Sequence, residues 1–392
     1  MSDIVSPADD QAPLVFLVAG EPSGDVLGAR LMAALRRLTG GHVRFAGVGG
    51  EAMRREGLAS LFPIDDLAVM GFVEILPRLP KILSRLRDVE RAVIATRPDV
   101  VVTIDAPGFN LRLARRLRPR GVRCVHYVAP QLWAWRPGRA RKLVGLFDRI
   151  LTLFPFETAF FAGLGVETRL VGHPAVEAER PDAGDLRSRL GIAASAPVLL
   201  MLPGSRIGLV RRMLPIYAAT AERLARSVPG LVILVPVVGA TRAVVAEGLA
   251  AWPVDAQIVD TPADKRAALA AATAAITISG TSTLELALAG LPMIVAYRTN
   301  PISAFLARRL VRVPHVALPN LILGRGAIPE LLQEACTPGA LAAAAARLMT
   351  DATAAQAQRD DFAALRAQLG ADGPPPSERA ARAVLEVIGA QG

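Results

Sequence analysis

Val198-Leu-Leu-Met-Leu-Pro-Gly-Ser-Arg206 carries five apolar residues into a tight polar turn, and a helical pattern follows. The same arrangement returns where the run Ala275 to Ile278 meets Gly280-Thr-Ser-Thr-Leu-Glu285. An unbroken apolar run before a Gly/Ser/Thr turn is how a strand buried on both faces of a parallel sheet reads, its crossover helix starting directly after it. Such a helix start offers unpaired N–H groups and partial positive charge to an anion. Arg206 adds a planar fork, and Glu285 lies one turn in, where ribose hydroxyls are within reach. The pair of turns points to a nucleotide-linked substrate.

Leu231 to Val235, Ala256 to Val259 and Pro292 to Ala296 extend the pattern in the second half. Leu14 to Val18, Val43 to Val48, Val100 to Ile104, Val122 to Val128 and Ile150 to Phe154 repeat it in the first. Apolar runs alternating with helical stretches predict an α/β protein with two doubly wound domains. The 392 residues, 52% of them hydrophobic, also exceed what one core usually holds. The polar stretch from Pro174 to Ala196 separates the two sets of runs, so domains over 1–173 and 174–340 are expected. Residues 341–392 read as C-terminal helices, broken at Pro374-Pro-Pro376 before a last helix from Ser377 to Ile388.

The net charge of +10 favours anionic partners. Only Lys81, Lys142 and Lys265 among the 45 basic residues are lysines, and the rest are arginine, whose fork suits phosphate. With 5% aromatic residues and no basic run interleaved with them, nucleic acid is not an expected partner. Cys124 and Cys336 stand far apart, and His42, His126, His173 and His315 lack ligand spacing. No metal and no other cofactor is expected. No signal-peptide pattern precedes the first run. The longest apolar run, Leu231 to Ala240, contains Pro236 and Gly239 and falls short of the roughly 18 residues of a span. A cytosolic location follows as an expectation.

Three further stretches bear chemistry. Gly20-Glu-Pro-Ser-Gly-Asp25 follows the first run, at the strand edge where ligands bind, but has neither the dinucleotide nor the P-loop spacing. Ser23 or Asp25 serves equally well as a helix N-cap there. Asp105 ends the run from Val100, where desolvation would make it a general base, and a turn role before Pro107-Gly108 is as good a reading. Trp133 and Trp135 follow the His126-Tyr127 strand as a binding wall or a packed loop. Asp66 to Arg87 joins an apolar patch to Arg78, Lys81, Arg85 and Arg87, fitting an anionic membrane surface or a core-facing helix with a basic outer face.

Taken together, these residues resemble the lipid-A-disaccharide synthase family of B-type glycosyltransferases. The resemblance rests on Ala19-Gly-Glu-Pro-Ser-Gly-Asp25, Ala68-Val-Met-Gly-Phe-Val-Glu74, Ile104-Asp-Ala-Pro107 with Phe109-Asn110, Trp133-Ala-Trp135 and Pro155-Phe-Glu157. Val171-Gly-His-Pro174, Leu202-Pro-Gly-Ser-Arg206, Ser279-Gly-Thr281, Leu318-Pro-Asn320 and Pro329-Glu-Leu-Leu-Gln333 continue it over nearly the whole chain.

The resemblance implies two Rossmann-like domains facing a cleft, with C-terminal helices returning to the first domain or packing on a partner subunit. It implies transfer of 2,3-diacylglucosamine from UDP to the 6-hydroxyl of 2,3-diacylglucosamine 1-phosphate (lipid X), with inversion and without metal. By analogy Asp105 is the base and Arg206 stabilises the leaving group. Glu21 and Ser23 line the acceptor side, Arg206, Thr281 and Glu285 with Asn320 hold UDP, and Asn110 and Gly280 bind substrate. Gln333 reaches a nucleotide site, in this chain or across a homodimer that exchanges C-terminal segments. Peripheral association with the cytoplasmic face of the inner membrane is implied as well.

The chain departs from the family at Leu209, where an acidic residue usually follows the Arg206 turn, and has Pro22 inside its Gly-Glu turn. A UDP-sugar epimerase or another B-type transferase shares these nucleotide turns. A non-catalytic membrane scaffold accounts for the basic apolar patch alone, and a nicotinamide oxidoreductase is disfavoured by the missing fingerprint.

Overall fold

The computed structural model of the protein describes residues 11–67, 72–135, 137–178, 181–237, 239–300, 304, 309 and 313–390, without the side chains of 72–77 and 135. The chain forms two compact units, one running to Glu177 and resuming at Leu369, the other spanning Ala178–Gln368.

The sheet of the first unit holds β1 (Leu14–Ala19), β2 (Arg44–Val48), β3 (Val100–Ile104), β4 (Cys124–Tyr127), β5 (Arg149–Thr152) and β6 (Thr168–Leu170). Its strands lie parallel in the order β2-β1-β3-β4-β5-β6. The apolar runs make these strands because both faces are covered. Phe16, Val18 and Val101 meet Leu86, Val89 and Val93 of the Phe72–Thr96 helix and Leu113 and Leu117 of the Pro107–Leu117 helix.

The second unit repeats the plan with β7 (Val198–Leu202), β8 (Val232–Pro236), β9 (Ala256–Val259), β10 (Ala274–Thr277), β11 (Met293–Tyr297) and β12 (Glu330–Leu332). The order is β12-β11-β10-β7-β8-β9, again parallel. Met213 and Tyr217 of the Ile207–Ser227 helix pack with Leu341 and Ala345 over one face.

In each sheet the chain reverses direction once. The first winds from β1 to β2 and returns to the other side of β1, so its switch lies between β1 and β3, paired up to Ala19↔Ile104. The second winds from β7 through β9 and returns at β10, its switch lying between β7 and β10, paired up to Leu202↔Thr277. Helices on opposite faces diverge there and leave a crevice outside the carboxyl ends.

The C-terminal block expected at 341–392 does not stay together. The Pro338–Thr350 and Ala352–Gln368 helices belong to the second unit, where the Gln358 amide accepts from Met293 N at 2.8 Å and donates to Met293 O at 3.1 Å. The Pro376–Gly389 helix alone joins the first, against the Pro22–Leu38 helix, with Arg37 to Glu378 at 3.3 Å. Its Ser377 N–H donates to Glu177 at 2.6 Å, and Arg30 donates to Pro174 O at 2.8 Å. These bonds hold residues 174–177 in the first unit, so the expected boundary after residue 173 shifts to Glu177. Among the described residues no helix is long and apolar enough to cross a membrane.

Candidate functional site

The switch of the second unit opens on a cavity of about 1200 Å³. Gly204, Ser205 and Arg206 line it from the end of β7, and Ser279 to Ser282 from the end of β10. Here two helices begin, Ile207–Ser227 and Thr281–Leu288, with Arg206 and Gly280 as N-caps that contribute no side-chain cap. Their first N–H groups are left for an anion. Gly204 has φ of 105°, and a Cβ on it would lie 2.4 Å from Ile278 Cδ1, so only glycine makes this turn against β10.

The hydroxyls of the β10 turn are divided between bracing and binding. Ser279 donates to Val316 O at 2.8 Å, Ser282 meets Thr277 Oγ1 at 3.0 Å, and Thr283 donates to Gly280 O at 2.7 Å. The Thr281 hydroxyl has no partner among the described residues and stands exposed on the wall. Arg206 is likewise exposed and unpaired among the described residues, with apolar Leu209 beside it in the wall. Glu285 stands at the rim, open to solvent on one side and desolvated by protein on the others, which raises its carboxyl above the usual range. Gln333 lines the far side in a left-handed conformation, φ 50°, its Oε1 accepting from Thr299 N at 3.3 Å.

The structure thus gathers Arg206, Gly280, Thr281, Glu285 and Gln333 around one cavity. Asn320 does not line it. Fully buried, its amide donates to Ile328 O at 2.9 Å and Glu330 Oε1 at 2.8 Å and accepts from Ile328 N at 2.9 Å. Glu330 also takes Val316 N and Ala317 N, so Asn320 and Glu330 together set the wall that Val316 presents to the cavity. Lys265, in the first turns of the Pro262–Ala271 helix beyond β9, lines the cavity without a hydrogen bond or close ion pair among the described residues, although no motif points to it. Its position after a strand end, like that of Arg206, is the signal that could have found it.

At the first switch, Glu21 follows β1 and Asp105 follows β3. Burial raises the Asp105 carboxyl above its ordinary range, against the pull of the Ala106 N–H. Burial raises Glu21 too, and the neighbouring Asp105 charge adds to it. Ser23 is exposed on the same turn. A Cβ on Gly20 would lie 2.5 Å from Ala106 Cβ, so the two turns interlock and only glycine fits. Neither Ser23 nor Asp25 caps the Pro22–Leu38 helix, whose N-cap is Glu21. Asp25 reaches across to the Glu51–Arg55 helix instead and accepts from Gly50 N, Ala52 N and Met53 N at 2.8 to 3.0 Å.

Asn110, expected to bind substrate, is buried and turned onto the main chain of the Asp105 turn. Trp133 is part of a packed loop, donating to Glu157 at 3.2 Å with its ring edge-on to Phe156 at 4.7 Å. The Trp135 side chain lies outside the described residues, as do residues 68–71 and the side chains of 72–77 in the apolar basic stretch. In its described part, Asp66 engages Lys81 at 2.5 Å and Arg85 at 2.8 Å, while Arg78, Arg87, Leu79 and Leu83 are exposed.

Non-glycine residues with positive φ concentrate at these edges: Asp105 and Ala106 after β3, Val128 after β4 and Gln333 after β12, with Arg97 alone elsewhere. Strained backbone of this kind collects where function over-determines the conformation.

The fold is shared with the UDP-GlcNAc 2-epimerase from Neisseria meningitidis, solved with UDP-GlcNAc bound (TM-score 0.61, 11% identity, 96% of this chain and 99% of that one). It is shared also with the glycotransferase of kitacinnamycin (TM-score 0.60, 19% identity, 96% and 100%). In sequence, the chain is 52% identical over 380 residues to the lipid-A-disaccharide synthase of Rhodospirillum centenum, covering 96% of this chain and 94% of that protein. It is 47% identical over 392 residues to that of Granulibacter bethesdensis, covering 96% and 99%. The family model for lipid-A-disaccharide synthetase matches residues 15–382. With a cavity at one sheet switch and a pair of carboxylates at the other, the chain belongs to the lipid-A-disaccharide synthase family of glycosyltransferases.

Proposed function

We propose that the protein transfers 2,3-diacylglucosamine from UDP to the 6-hydroxyl of 2,3-diacylglucosamine 1-phosphate, forming the β-1,6-linked tetraacyl disaccharide 1-phosphate and UDP. The observation that carries this reading, in a chain of this family, is the convergence of Arg206, Gly280, Thr281, Glu285 and Gln333 on one cavity. The two helix starts and Arg206 take the diphosphate, Thr281 donates to a phosphate oxygen, and Glu285 accepts from the ribose.

In the transfer, the acceptor hydroxyl gives its proton to the Asp105 carboxylate as its oxygen bonds to the anomeric carbon from the face opposite the diphosphate. The bond from that carbon to the diphosphate breaks in the same displacement, its electron pair leaves on UDP, and the configuration inverts. A carboxyl raised by burial is a better proton acceptor than an ordinary one, which suits Asp105 to the task. Arg206 meets charge that grows on the leaving group, so its contact strengthens toward the transition state. Glu21 and Ser23 share the Asp105 edge and serve the acceptor sugar.

Both substrates carry acyl chains, and exposed Leu79, Leu83, Arg78 and Arg87 suit an anionic bilayer surface at the cytoplasmic face of the inner membrane. Co-sedimentation with anionic vesicles that survives Leu79→Ser with Leu83→Ser would remove this contact. The remaining partner is a second copy of the chain exchanging its C-terminal helix, for which sedimentation velocity provides the test.

The reaction is tested by mass spectrometry after mixing the protein with both lipid substrates without divalent metal. The expected products are the tetraacyl disaccharide 1-phosphate and an equal amount of UDP. A folded protein that binds UDP and yields neither overturns the assignment.

A further inference from the structure

Asp105 and Ala106 both lie in the left-handed region, with φ of 50° and 43°. Side chains with a Cβ disfavour that region, and two such residues in succession persist only where their surroundings hold them. One buried side chain does so. Asn110, in the first turn of the Pro107–Leu117 helix, donates from Nδ2 to Ile104 O at 3.2 Å and to Asp105 O at 2.7 Å. In a strand that ran straight on, successive carbonyls would point to opposite sides. A single amide nitrogen meets both because the chain curls at Asp105.

The rest of the Asn110 amide makes the purpose plain. Its Oδ1 is buried without a partner among the described residues, a costly state for an acceptor, so the amide is kept for its donor end. The curled turn is fitted against Gly20, beside Glu21, and Asp105 N still donates to Tyr127 O at 2.9 Å, so the strand remains paired up to the point where it curls.

We infer that Asn110 is a positioning residue for the transfer reaction: its amide holds the Asp105-Ala106 turn in the left-handed conformation and thereby aims the Asp105 carboxylate, without touching substrate. This rests on the reading of Asp105 as the base.

The test compares Asn110→Ala, Ala106→Gly, the double variant and Asp105→Asn for disaccharide formation, UDP affinity and thermal unfolding. Asn110→Ala should lower kcat roughly 10- to 100-fold, the scale of a base misplaced by about 1 Å, with KM for both substrates and UDP affinity within about twofold of wild type. Glycine adopts positive φ without a clamp, so adding Ala106→Gly should recover a substantial part of the lost kcat, which a merely structural role for Asn110 would not allow. Wild-type kcat in Asn110→Ala overturns the inference. A rise in KM at unchanged kcat does so too, by returning Asn110 to substrate contact, as does a double variant no faster than Asn110→Ala. If Asn110→Ala does not fold, Asn110→Ser carries the same kcat and rescue criteria. Full turnover by Asp105→Asn removes the base and this inference while leaving the reaction standing. A wild-type protein that binds UDP without forming disaccharide removes the reaction itself.

Discussion

Arg206 and Lys265 are the cations lining the cavity of the second unit among the described residues, and under the proposed reading their placements predict different losses. Arg206 sits at the switch beside both helix starts, exposed and unpaired, so its removal leaves folding intact and subtracts from leaving-group stabilisation. Arg206→Ala should lower kcat by roughly 10- to 100-fold, equivalent to about 1.5–3 kcal/mol for a charged contact, with an unchanged thermal midpoint. Steady-state kinetics beside a melt decide it, and wild-type turnover would sink the role. Lys265 follows β9, two strand spacings or about 10 Å from β7, so the proposed reading puts it toward the end of UDP away from the diphosphate. Lys265→Ala should weaken UDP binding roughly three- to tenfold by calorimetry with a smaller effect on kcat. An unchanged Kd would take Lys265 out of the site. Arg206, Thr281 and Glu285 were legible because they follow apolar runs directly. Lys265 was not, since it lies inside the Pro262–Ala271 helix rather than in the turn that directly follows the β9 run.

At the scale of elements, the Gly-Glu-Pro-Ser-Gly-Asp turn works through its last residue. Asp25 takes three backbone N–H groups of the Glu51–Arg55 helix start, a cap supplied from another helix. Asp25→Ala leaves those donors buried without an acceptor and should cost about 1–3 kcal/mol of first-unit stability, with UDP affinity unchanged. A thermal midpoint equal to wild type would mean that the cap contributes nothing. Ten of the twelve strands were readable as apolar runs, because a strand covered on both faces must be apolar throughout. β6 and β12 escaped because each has three residues at a sheet edge, with Arg169 exposed in one and Glu330 spent on the Asn320 bracket in the other. Asn320 illustrates the limit of a motif: Leu318-Pro-Asn320 marks a fixed residue, and only the fold of the 316–330 loop turns its amide away from the cavity.

For the whole molecule, two separately cored units predict two unfolding transitions, of which UDP should raise only that of Ala178–Gln368. At UDP near 100 times its Kd the gain is about 2.7 kcal/mol, visible by calorimetry, and an equal shift of both transitions would contradict a site confined to the second unit. Acid should act on the first unit. Burial pulls His126 and His173 down to about 4, with the Arg30 charge adding to it at His173. The unfolded chain binds those protons near pH 6.5, so stability is full above that pH and falls toward pH 4, by about 3 kcal/mol for each histidine. Glu157 runs the other way, lifted by burial to about 7, so the folded chain keeps its proton where the unfolded chain has lost it, and that contribution to stability is full below about pH 4.5 and lost as pH rises to 7. Glu157→Gln removes that offset and should steepen the loss of stability between pH 7 and 4.5 in denaturant titrations; parallel slopes would refute it. The sequence by itself determined the fold class, most of the strands and the two turns that line the cavity, because each is written in contiguous residues through periodicity and turn chemistry. The tertiary structure alone decided where the chain passes between units, that Asp25, Asn110 and Asn320 bond to backbone rather than ligand, and that Lys265 joins the cavity. Those outcomes depend on which donors, acceptors and strand ends distant segments bring together, and burial drives the Asp25, Asn110 and Asn320 side chains onto nearby main-chain groups.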